Sequence, residues 1–128
     1  MPPETKQHSH RVITFDEFWR WLQGHTSCIV SVATPDAVIY DLEELHWKLG
    51  VEEGSNIVVQ LLRGKSIVGE VAIVPQEVAY VQVEPLGEQE HVFDCVSLAE
   101  GEPVASYSFT MSHGYSAEKP SKADRLVH

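Results

Sequence analysis

The chain is predicted to fold as an α+β domain, a curved and mostly antiparallel sheet of about six or seven strands with two short helices on one face. Three observations predict it. Two short stretches carry paired helix caps, at Thr14–Gly24 and at Asp41–Gly50. The stretch from Asn56 to Val74 is the strongest β signal in the chain, with its apolar run broken at Arg63-Gly64-Lys65. From Val78 to Met111 strand-like runs alternate with turn residues. The expected order is α-β-β-α followed by a β-meander.

The first helix is expected over about Phe15 to Gln23. Thr14 and Glu17 stand at capping-box spacing, and Ile13 and Phe18 at hydrophobic-staple spacing. Phe15, Phe18, Trp19 and Leu22 form one apolar stripe, and Gly24 ends it. Trp21 lies off that stripe, so it is either an exposed interface anchor or packed under a neighbouring segment. Ser27–Ala33 and Ala37–Tyr40 read as strands about a Thr34-Pro35-Asp36 turn.

A second helix is expected at once. Asp41 and Glu44 repeat the capping box, Tyr40 and Leu45 the staple, and Leu42, Leu45 and Leu49 the stripe. With the caps aligned, His46 falls opposite Trp19. The two units reflect either a duplication or two well-capped helices that look alike.

The hairpin after it has a guessable register. One face would carry Ile57, Val59, Leu61, Val68, Ala72 and Val74, the other Val58, Leu62, Ile67, Val71 and Ile73. Both are apolar, so the hairpin should be covered on both sides. The helices cover one; the other calls for a second sheet, a curled barrel wall, a ligand or another subunit. Strands follow at Val78–Glu84 and His91–Leu98. Val104–Met111 alternates cleanly, and His113 continues its apolar face.

Residues 1–12 read as a flexible N-terminal arm, 13–113 as a single domain and 114–128 as a polar, disordered tail. Nine basic against nineteen acidic residues give a formal charge of −10. That composition disfavours nucleic acid and anionic membrane surfaces as direct partners. No apolar run approaches the length of a membrane span, and the start, Met1-Pro2-Pro3-Glu4-Thr5-Lys6, has no apolar leader core. A cytoplasmic location is expected. Cys28 and Cys95 are read as reduced, hydrophobe-like thiols.

The candidate chemistry is sparse. His46, beside Trp47, is either a base, ligand or partner contact or a half-buried residue at the edge of the stripe. Glu70, inside the apolar hairpin next to Gly69, is either a carboxyl with a displaced pKa or one that a glycine bulge turns to solvent. Asp94 invites the same two readings. His25, Cys28, His46, His91, Cys95 and His113 stand in no metal-ligand spacing, although His25-x-x-Cys28 sits at a helix-to-strand junction. No cofactor, metal or catalytic constellation is expected.

Cys95–Ala105 resembles the "L-x-x-D-G-x-P-V-A" hairpin of effector-binding domains in GntR-type regulators, with Glu100 at the aspartate position. It spans about a tenth of the chain, no helix-turn-helix segment precedes it, and nothing is carried over from it. The functional expectation is a binding module acting through a protein partner or as a homodimer. The alternative is a small-molecule-binding domain or small enzyme in which His46, Glu70, Tyr107 and His113 converge on one pocket.

Overall fold

A computed structural model of the chain describes residues 11–52 and 56–115. The expected flexible arm and disordered tail fall largely on residues 1–10 and 116–128, outside the described residues. Arg11 and Val12 belong to the first strand.

Among the described residues there are nine strands and one α-helix. They are β1 (Arg11–Ile13), α1 (Phe15–Gln23), β2 (Ile29–Ala33), β3 (Val38–Tyr40), β4 (His46–Val51), β5 (Ile57–Arg63), β6 (Ser66–Ile73), β7 (Tyr80–Leu86), β8 (Glu90–Ala99) and β9 (Glu102–Met111). Single 3-10 turns stand at Thr26–Cys28 and Pro75–Glu77. Six strands form one sheet in the order β1-β7-β8-β9-β2-β3; β4-β5-β6 form a second. All pairings are antiparallel. The α+β class holds, but as two sheets and one helix rather than one sheet and two helices. No helix among the described residues is long and apolar enough to cross a membrane.

The helix forms where its caps place it. The Glu17 N–H donates to Thr14 Oγ1 at 3.0 Å, and the Thr14 N–H donates to Glu17 Oε1 at 2.9 Å. Arg20 bridges back one turn to Asp16. Phe18, Trp21 and Leu22 are buried, and Phe15 and Trp19 of the expected stripe are half-buried against the core. Phe18 seats against both Phe93 (5.2 Å between rings) and Phe109 (5.1 Å), and Trp21 stacks on Phe93 at 5.0 Å. Trp21 is 4% exposed, so of its two readings the exposed anchor is corrected and the packed one holds.

The second helix does not form. Asp41–Leu45 is a turn, closed by Leu45 N–H to Leu42 O at 2.9 Å, and His46–Val51 is β4. The same residues also alternate: Trp47, Leu49 and Val51 fall on one side, His46, Lys48 and Gly50 on the other. A helix this short is marginal alone. Strand pairing satisfies a six-residue ladder with β5, buries Trp47, and lets its indole N–H donate to Ile29 O at 3.1 Å.

The β5–β6 hairpin forms as expected, with Gly64 at positive φ in a two-residue turn between Arg63 and Ser66. Its register does not. Leu62 pairs with Ile67 but Leu61 pairs with Gly69, so Val68 is an extra residue. This bulge flips the rest of β6. Val71 and Ile73 turn toward the core with Ile57, Val59 and Leu61, while Glu70 and Ala72 turn away. β5 is buried along both faces, including Val58 and Leu62, whereas β6 is exposed over much of its length. One core joins both sheets and the helix, with Phe18, Phe93, Phe109, Ile73 and Val59 fully buried in it.

Candidate functional site

Two regions carry exposed chemistry. The first is built where α1 ends. Gly24 stops the helix, donating to the Trp21 and Leu22 carbonyls, and His25 N–H donates to Leu22 O at 2.9 Å. The 3-10 turn then delivers Cys28 beside the end of β9, where Ser112 N–H donates to Cys28 O at 2.9 Å. That tie brings in His113. Its Nε2 lies 3.1 Å from Cys28 Sγ, and its Nδ1 lies 3.0 Å from Gly114 O. A carbonyl only accepts, so Nδ1 carries the proton and Nε2 is the lone-pair nitrogen facing the thiol.

Aromatic packing fixes the surroundings. Trp21 stacks on His25 at 4.4 Å and meets His113 edge-on at 5.6 Å; the two imidazoles are 5.2 Å apart. His25 Nδ1 is 2.7 Å from Trp21 O, another nitrogen that must donate. Tyr115 sits 5.5 Å from Trp21, with the Arg11 guanidinium 4.9 Å above its ring. The buried Trp21 Nε1 has no hydrogen-bond partner among the described residues. Cys28 is half-buried and unbridged. Among the described residues no group of three or more His, Cys, Asp or Glu side chains is placed to hold a metal ion.

The second region lies where Ile39 of β3 meets Gly69 of β6. Gly69 lies directly under Ile39; a Cβ there would stand 2.8 Å from Ile39 Cγ2. Beside it is a hollow of about 220 Å³ lined by Val32, Thr34, Ala37, Ile39, Glu70 and Val71, among others. Ile67 is 52% and Val68 49% exposed on β6, and Val38 and Tyr40 are exposed on β3.

The residues singled out in the sequence do not converge on one pocket. His46 is exposed at the start of β4, beside a shallow hollow shared with Thr26, Ser27, Asp41, Leu45 and Trp47. Trp47 is core. Glu70 is exposed and accepts a 3.5 Å bond from Gln60 Nε2, turned outward by the bulge. Tyr107 is half-buried opposite Cys95. It is six residues before His113, about 20 Å along an extended chain. Asp94 accepts from Ser108 Oγ at 2.6 Å. Cys95 is fully buried; burial, with the Asp94 charge adding, pushes its thiol far above the ordinary range.

His113 is thus the one named candidate that the fold brings to a reactive partner. Cys28 was visible only as the end of His25-x-x-Cys28. The missing signal was the β2–β9 pairing, Ile29 opposite Met111, which joins residues more than 80 positions apart. No family model, curated protein or solved structure matches the chain.

Proposed function

We propose that this protein is an interaction module that pairs edge strand β6 with an added strand from a protein partner or a second copy of the chain. One observation carries the reading: among the described residues β6 spans eight residues with a paired neighbour on one side only, and it exposes Ile67 and Val68. Such an edge is a template for strand addition. The remaining edge strands are shorter; β1 and β3 have three residues and β4 has six.

The second copy is the version that can be tested directly. Two chains of charge −10 repel, and salt screens that repulsion. Light scattering across protein concentration is expected to show dimers that grow with ionic strength. Hydrogen exchange is expected to slow along β6 as they form. A chain that stays monomeric at high salt up to about millimolar concentration, where even a weak dimer would form, rules out self-association. An association that leaves β6 exchange unchanged rules out β6 as its site.

A further inference from the structure

We propose that Cys28 and His113 form a nucleophilic thiol–imidazole pair that exchanges with small disulfides. Three features of the geometry support it. Sγ and Nε2 are at hydrogen-bond distance, 3.1 Å. The Gly114 carbonyl holds the proton on Nδ1, so Nε2 is the acceptor. The pair therefore has the arrangement of an activated nucleophile: a base within reach and a third group that orients the base. Aromatic contacts from Trp21 to both imidazoles hold the assembly in place. A buried structural cysteine looks different, and the same chain supplies one. Cys95 is fully buried in the core.

The reaction balances without a further reagent. The Cys28 S–H proton passes to His113 Nε2 as the thiolate attacks one sulfur of the disulfide. The S–S bond of the small molecule breaks and a new one forms to Cys28. The departing thiolate takes the proton from His113, so one disulfide and one thiol give one mixed disulfide and one thiol. His25 borders the pair, its imidazole 5.2 Å from that of His113.

The test uses the full chain and 5,5′-dithiobis(2-nitrobenzoate), an aromatic disulfide with two carboxylates, with peptide mass mapping of the modified cysteine. At neutral pH the folded chain is expected to react at Cys28 about tenfold faster than an unstructured thiol, with Cys95 unmodified. Cys28→Ser should abolish the fast phase, and His113→Gln should slow it about tenfold while the protein remains folded by circular dichroism.

A second measurement needs no variant: a wild-type Cys28 that reacts no faster than an unstructured thiol at neutral pH overturns the proposal. So does a folded His113→Gln protein that reacts at the wild-type rate.

Discussion

The thiol–imidazole end and the β6 edge treat their exposed groups in opposite ways. At the first, the imidazoles are held: His113 engages both ring nitrogens, His25 and Tyr115 pack against Trp21, and Trp21 packs in turn on Phe18 and Phe93. At the second, the side chains that reach solvent are apolar and the outer row of backbone groups has no strand beside it. Preorganised polar atoms suit chemistry on a small molecule. An unpaired apolar edge suits association. The two regions can therefore be broken separately, and the sizes of the effects should differ.

The largest effect is expected beneath the thiol end. Phe18 is fully buried and carries the ring contacts that seat α1 on the sheet. Phe18→Ala should cost about 3–5 kcal/mol in denaturant unfolding. It should also release Trp21, so Cys28 should lose its distinct reactivity in whatever folded fraction remains. A cost under about 1 kcal/mol would mean that the helix is not what anchors this end.

The edge has its own rigid point. Gly69→Ala would set a Cβ 2.8 Å from Ile39 Cγ2, a branch methyl close to the backbone that has little room to yield. About 1–3 kcal/mol is expected. Ile39→Ala should absorb most of it, and the double-mutant cycle should be clearly non-additive. Additive costs would place the strain elsewhere.

Cys95 gives stability a pH signature of its own. Its folded thiol stays neutral where the unfolded thiol ionises. The unfolded state then binds fewer protons, so stability falls as pH rises above the unfolded value of about 8.5, by up to about 1.4 kcal/mol per pH unit. The contribution is fully present below that pH. Unfolding measured between about pH 8 and 10 should lose that slope in Cys95→Ala. The helix cap is a smaller matter: Thr14→Ala removes the acceptor for Glu17 N–H and should cost about 1 kcal/mol.

What was legible in the sequence followed the range of the interaction. The first helix, its cap box and the hairpin turns were readable because Thr14, Glu17, Gly64 and the Glu100-Gly101 turn act on their own neighbours. The strands from Ile29 to Met111, β4 excepted, were readable from their own composition. Three features were not. Leu49 could serve a helix stripe or a strand face, and only the ladder that sets it opposite Val59 decides between them. The bulge beside Gly69 stood only as one of two readings of Glu70, and its reversal of which side of β6 is core did not show. The meeting of Cys28 with His113 depends on β9 lying beside β2 and not elsewhere in the sheet.

The smallest expected effect on stability is also the sharpest separation of the two regions. Val68 is the bulged residue, 49% exposed, and its side chain belongs to neither the core nor the residues packed against it. Val68→Lys should change unfolding free energy by no more than about 0.5 kcal/mol. A charge on an edge strand nevertheless disfavours strand addition, because pairing would desolvate the ammonium group against an apolar neighbour. The substitution should therefore abolish the salt-dependent dimer while leaving the rate of Cys28 with the aromatic disulfide unchanged. If association and thiol rate fall together, the two regions are one coupled surface. If association survives intact, the edge of β6 is closed in solution and the dimer uses another face.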